Sequence, residues 1–173
     1  MNILHLKNGQ VVDPSSETNE VKDLWVQGSK FVKEEEIKGQ APIEVLDLHD
    51  KLILPGFVDL RCHPRNVTRG STENISSITK TAAQGGFTSI LAMPDISPSI
   101  DNPGDARYAR ECADRDAVIN FHLAGALTEK SNGKKLSPIG SLKESGVVAI
   151  TDCPKSTQNN EIFVGIKMDM QKN

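Results

Sequence analysis

Leu54-Pro55-Gly56-Phe57-Val58-Asp59-Leu60-Arg61-Cys62-His63-Pro64-Arg65 is the stretch on which the fold turns. Pro55-Gly56 interrupts the chain, and the apolar run Phe57-Val58-Asp59-Leu60 after it reads as a buried-type strand. From here on, strands and amphipathic helices alternate. Thr72 to Ala83 reads as a helix with Ile75, Ile78 and Ala82 on one face, and Gly85-Gly86 ends it. Phe87 to Met93 is a second strand, closed by Pro94. Residues 103–114 form a second helix, opened by Pro103 in the favoured first-turn position. Val118 to Leu123 is a third strand, Pro138 to Ser145 a short helix ending at Gly146, and Val147 to Ile150 a fourth strand. Glu161 to Met170 reads as the helix that follows it. Apolar strands alternating with helices argue for a parallel sheet covered by helices. A complete eight-stranded α/β barrel needs ~250 residues, so a chain of 173 residues is expected to hold only part of one.

Upstream the pattern differs. Ile3-Leu4-His5-Leu6 alternates, Asn8-Gly9 signals a turn, and Val11-Val12 runs into the polar cluster Asp13-Pro14-Ser15-Ser16. Asp23 to Gln27 and Lys30 to Lys33 flank Gly28-Ser29 as a hairpin would, and Ile43 to Leu48 and Leu52 to Leu54 supply two more short strands. These predict a small antiparallel sheet or half-sandwich. The acidic run Glu34-Glu35-Glu36 reads as a solvated turn, because adjacent like charges repel and stay hydrated. The expected organisation is an α/β protein with an N-terminal β-sandwich module over 1–54. The first half of an α/β barrel, about four βα units, follows over 55–173.

Composition narrows the function classes. Charged residues are 25% of the chain and net charge is -3, which gives no basic footprint for nucleic acid. No apolar run approaches the ~18–20 residues of a membrane helix, and the start carries no secretory leader pattern. Three widely spaced cysteines, Cys62, Cys112 and Cys153, argue against a disulfide framework and for a reducing cytoplasm.

The Pro55–Arg65 stretch resembles the first barrel strand of the amidohydrolase superfamily, whose pattern is Pro-Gly-x-x-Asp-x-His-x-His. Strand side chains alternate, so histidines two apart point the same way and can hold one metal at the strand's C-terminal end. That end is where α/β barrels build their sites. The particular resemblance is to dihydroorotases, which keep an arginine after the second histidine, here Arg65. Ala83-Gln84-Gly85-Gly86-Phe87-Thr88, Met93-Pro94-Asp95-Ile96-Ser97-Pro98-Ser99-Ile100-Asp101-Asn102 and Ser141-Leu142-Lys143-Glu144-Ser145-Gly146 followed by Ile150-Thr151-Asp152-Cys153 are similar to further blocks of that family, in order. The resemblance implies a metal-dependent-hydrolase TIM barrel with zinc. It implies reversible ring opening of dihydroorotate to carbamoyl-aspartate, in which metals polarise the amide carbonyl and activate a bridging water.

It also shows departures. The family's first metal histidine is here Arg61, a fixed cation. The second survives as His63. The bridging aspartate is Cys153, with the preceding Asp152 retained, and the substrate-binding asparagine is Asp95. His63 is therefore the one metal position retained, Arg65 and Asp95 are the substrate-binding candidates, and no catalytic residue is assigned, since the family's proton shuttle lies on a later strand. An Arg65–Asp95 salt bridge is expected across the mouth. Cys153 is expected to share that mouth with His63, where a rebuilt His63/Cys153 zinc site is the alternative to no bound metal. Cys62 is expected in the buried helix layer, and Asp59 as a structural hydrogen-bond partner. His5, His49 and His122 read as ordinary surface or strand residues. The resulting expectation is a truncated, inactive dihydroorotase-like protein. The alternatives are a non-catalytic partner of aspartate transcarbamoylase, a self-associating homo-oligomer, or the product of an interrupted gene.

Overall fold

A computed structural model describes residues 3–37, 44–67 and 73–155, together with 157, 159 and 162. Two compact units divide the chain, Met1–Pro55 and Gly56–Asn173.

The first unit is one five-stranded sheet. Strand β1 (Ile3–Asp13) lies between β2 (Thr18–Gln27) and β4 (Glu44–Asp47), with β3 (Lys30–Val32) beyond β2 and β5 (Leu52–Ile53) also on β1. Both β4 and β5 run parallel to β1, so the sheet is mixed rather than wholly antiparallel. Asn8-Gly9 is not a turn. Leu6 pairs with Leu24 and Gly9 with Lys22, so Lys7 and Asn8 together oppose Asp23 in a β-bulge within one long strand. The dipeptide correctly signals positive φ, which Asn8 adopts at 60°. The bulge is held because Asn8 N–H donates to Asp23 Oδ1 at 3.0 Å and its side-chain amide donates to Asp47 Oδ1 at 3.1 Å. Reversal happens later, at Asp13–Thr18, where the Asp13 carboxylate accepts from Ser15 N–H and Ser15 Oγ. His5 is a strand residue of β1, as one of the two expected readings has it, and it is buried rather than on the surface. Its ring stacks on Trp25 with centroids 3.7 Å apart, and Nε2 lies 2.8 Å from Asp23 Oδ2. Glu34–Ile37 forms a single 3-10 turn with its three glutamates exposed, as like charges require. Ile43, the expected start of β4, lies outside the described residues.

The second unit alternates β6 (Phe57–Cys62), α1 (Ile75–Gln84), β7 (Phe87–Ala92), α2 (Pro103–Asp116), β8 (Asn120–Gly125), α3 (Ile139–Glu144) and β9 (Ala149–Ile150). The strands stand in the order β6-β7-β8-β9, every pair parallel, and curl as half of a barrel. Helix α1 begins at Ile75 because Asn74 closes a capping box with Ser77: each side chain accepts from the other's backbone N–H. Thr72 lies outside the described residues, as does nearly all of the expected helix from Glu161 to Met170. The core is built from Ile75, Ala92, Leu123 and Leu142 against the small face Ala106, Ala109, Cys112 and Ala113 of α2. Alanines there let the helix approach the sheet closely, at little side-chain entropy cost. Strand β9 is shorter than its apolar run suggests, since Val147 N–H still donates to Leu142 O and closes α3. Strand β6 is an edge of its sheet, which leaves Phe57, Val58 and Leu60 exposed, Leu60 at 70%. Among the described residues, no helix is long and apolar enough to cross a membrane.

Candidate active site

In a parallel sheet every strand ends on the same side, so residues just past the C-terminal ends of β6, β7 and β9 are brought together. Those residues are His63, Asp95 and Cys153. His63 follows Cys62 directly, and Met93 N–H donates to Cys62 O at 2.8 Å, which keeps the two strand ends level. Asp95 sits on the loop after β7. That loop is anchored by the buried Ile96 and Ile100 and tied to the first strand end by Ser97 N–H to Arg65 O and Val67 N–H to Ser97 O. Both Asp95 oxygens face His63 Nδ1, at 3.1 and 3.0 Å. On the other side of the ring, Cys153 Sγ lies 3.9 Å from His63 Nε2. The side chains of His63 and Asp95 are 37% and 36% exposed, so the row opens to solvent.

Cys153 is held from below. Its N–H donates to Thr151 Oγ1 at 3.1 Å. Its neighbour Asp152 is buried and accepts from Thr128 N–H at 2.9 Å, from Thr128 Oγ1 at 2.6 Å and from the Thr157 hydroxyl. Thr128 Oγ1 in turn accepts from Gly133 N–H at 2.9 Å. Asp152 is thus a structural post that pins the loop after β8 to the end of β9.

The Arg65–Asp95 ion pair expected from the sequence is not formed. His63, two residues closer to the strand, takes Asp95. Arg65 N–H donates to Glu73 Oε1 at 3.2 Å, and Arg65 Nε lies 3.7 Å from Glu73 Oε2 with the arginine side chain 85% exposed. Cys62 is level with the buried Ala92 but only half-buried, because β6 is an edge strand. Burial first, then the charges of Asp59 and Glu73, push its thiol up to about 11. Asp59 accepts from Arg61 N–H at 2.8 Å across a bulge in β6, a structural role. Arg61 is exposed, as are His49 and His122.

The zinc that the resemblance implies does not fit these donors. Catalytic zinc takes three protein ligands converging on one point. Here Asp95 and Cys153 stand against opposite nitrogens of one imidazole, and Arg61 stands where the resemblance puts the first metal histidine. Among the described residues no group of three His, Cys, Asp or Glu side chains is placed to hold a metal ion.

Residues 50–168 match the family model described as Dihydro-orotase-like. The chain belongs to that family. It is 36% identical over 165 residues to a dihydroorotase of Trichlorobacter lovleyi, covering 94% of this chain and 38% of that protein. To a dihydroorotase of Acetivibrio thermocellus it is 36% identical over 161 residues, covering 91% and 37%. The dihydroorotase-like chain thus spans well under half the length of these relatives. Among solved structures, an L-hydantoinase from Arthrobacter aurescens superposes with a TM-score of 0.68 at 21% identity, covering 87% of this chain and 32% of that one. A D-hydantoinase from a Bacillus species gives 0.63 at 18% identity, covering 94% and 36%. With these two the chain shares its fold, as a partial TIM barrel with an N-terminal β module.

The His63–Asp95 contact was not legible in the sequence, because nothing local reports which cross-strand partner a carboxylate will find. The signal that brought both residues to one mouth was the family resemblance.

Proposed function

We propose that this dihydroorotase-like chain does not carry the metal-dependent hydrolysis of dihydroorotate on its own residues. The observation behind this reading is the donor set: Arg61 stands at the first ligand position, and His63 is engaged on both ring nitrogens by groups that cannot share an ion. A guanidinium cannot shed its proton to make room for a dication. Binding dihydroorotate through Arg65 and Asp95 is disfavoured for the same reason of charge, since Asp95 repels the substrate carboxylate while Arg65 is turned to Glu73. The protein works in the cytoplasm, where Cys62, Cys112 and Cys153 stay as free thiols. The test is hydrolysis of dihydroorotate by purified protein supplied with zinc or manganese. No turnover above background is expected; turnover that tracks protein and disappears in His63→Ala overturns the reading.

A second reading is a non-catalytic partner, of aspartate transcarbamoylase or of another copy of this chain. The exposed Phe57, Val58 and Leu60 on the edge strand β6 favour it, because an apolar edge strand is a ready pairing surface. Co-purification with the transcarbamoylase, lost on Leu60→Lys, is the supporting result. A monomer that ignores the transcarbamoylase refutes it.

A further inference from the structure

We propose that Cys153, His63 and Asp95 form a thiol nucleophile site that accepts activated acyl groups, such as carboxylic esters, with no metal. The row has the three parts that nucleophilic catalysis needs: a nucleophile, a base within reach of it, and a group that orients the base. Cys153 Sγ is 3.9 Å from His63 Nε2, and Asp95 holds Nδ1 with both oxygens at 3.0 and 3.1 Å. A carboxylate on Nδ1 fixes the tautomer that leaves Nε2 as the acceptor facing the thiol, the same logic by which aspartate serves a serine–histidine pair. The sulfur–nitrogen separation is long for a hydrogen bond and closes on substrate binding, as such contacts do in substrate-free sites.

Each part is also built rather than incidental. The post at Asp152, next in the chain to Cys153, is satisfied by Thr128 and Thr157. Asp95 is carried on a loop whose Ile96 and Ile100 are fully buried. The three side chains come from three strand ends, so the site is rigid where it needs to be and open where an acyl group must enter. By the resemblance, Cys153 replaces a bridging aspartate and Asp95 a substrate-binding asparagine, and these two departures are the ones that complete this site.

In the reaction Cys153 Sγ attacks the acyl carbonyl carbon, and the thiol proton passes to His63 Nε2. The carbon–oxygen bond to the leaving group breaks as that proton is delivered to the departing oxygen. The products are an alcohol or phenol and a Cys153 thioester, which water then hydrolyses to the carboxylic acid and the free thiol. Asp95 is a positioning residue.

The probe is p-nitrophenyl acetate added to the full chain in the presence of a chelator, with release of nitrophenol timed and acetyl groups located by peptide mass spectrometry. General-base assistance contributes typically ~100-fold or more. Cys153 is therefore expected to acetylate on the order of 100 times faster than Cys62, with the buried Cys112 unreacted as an internal report that the fold is intact. His63→Gly should lose most of that advantage and regain part of it when free imidazole is added. Asp95→Asn should lose roughly tenfold, within the range of base assistance, and Asp95→Glu should restore it. If Cys153 in the unaltered protein acetylates no faster than Cys62, the proposal is wrong whatever the variants do. It is equally wrong if His63→Gly, with Cys112 still protected, reacts like the parent. Because no metal is present, the result stands apart from the dihydroorotate assay.

Discussion

Replacing Asp152 by alanine should be among the most damaging single changes in this protein, and its size can be worked from the contacts. The buried carboxylate accepts three hydrogen bonds, from Thr128 N–H, Thr128 Oγ1 and the Thr157 hydroxyl. Hydrogen bonds to a charged group are worth about 1.5–3 kcal/mol each, a simple sum of about 4.5–9 kcal/mol. Alanine also removes the cost of burying the charge, which recovers several kcal/mol. A net loss of about 2–4 kcal/mol remains, set by donors on the fully buried Thr128 that lose their acceptor. Asparagine keeps one acceptor for Thr128 N–H, and its amide can donate to hydroxyls that turn to accept. Its cost should be about 1–2 kcal/mol, near the value of a neutral hydrogen bond. The assay is urea unfolding followed by circular dichroism. With m of about 1–3 kcal/mol/M, alanine should lower the midpoint by roughly 1–2 M with m unchanged, and asparagine by about half as much. Alanine and asparagine falling together within about 0.5 kcal/mol of the parent, the range of ordinary surface substitutions, would refute the reasoning.

Other outcomes follow from the same contacts. Asn74→Ala removes the capping box of α1 and should cost about 1 kcal/mol, with faster amide exchange confined to the first turn of that helix. Gly56→Ala would place a methyl 2.6 Å from Thr88 Cβ, a clash that rotating the threonine cannot relieve. It should destabilise by about 1–3 kcal/mol in thermal unfolding. Asp23 is held below its ordinary carboxylate value, chiefly by the Asn8 N–H and then by His5, and Asp13 and Asp47 are lowered by donated hydrogen bonds as well. A depressed folded-state pKa adds stability above the ordinary value, and that stability is lost as pH falls through the lower folded value. The Met1–Pro55 unit should therefore loosen below about pH 4, and Asp23→Asn should flatten that part of a stability-against-pH curve.

Helix starts and stops were legible because they are local chemistry. Pro103 stands in the first turn of α2 and Asn102 caps it, accepting from Asp105 N–H at 3.0 Å. Gly85 and Gly86 end α1, with Gly86 at φ 83°. The strands of the second unit were legible from apolar runs, although β8 is displaced to Asn120–Gly125 and β9 is shortened. Asn8-Gly9 shows where such reading stops. The dipeptide announces positive φ, but whether that produces a turn or a bulge depends on a carboxylate, Asp23, on the neighbouring strand. The same holds for His5, whose ring looks ordinary until Trp25 and Asp23 are folded against it.

By itself the sequence determined the change of period at Pro55-Gly56 and the succession of parallel-type strands and helices after it. These are properties of residues and their near neighbours. Only the tertiary structure decided that Asp95 serves His63 rather than Arg65, that Cys153 faces the other ring nitrogen, and that Asp152 is a buried post. The reason is geometric. Parallel pairing sets the ends of β6, β7 and β9 on the same side of the curled sheet, and within that small space the shortest reach takes the partner.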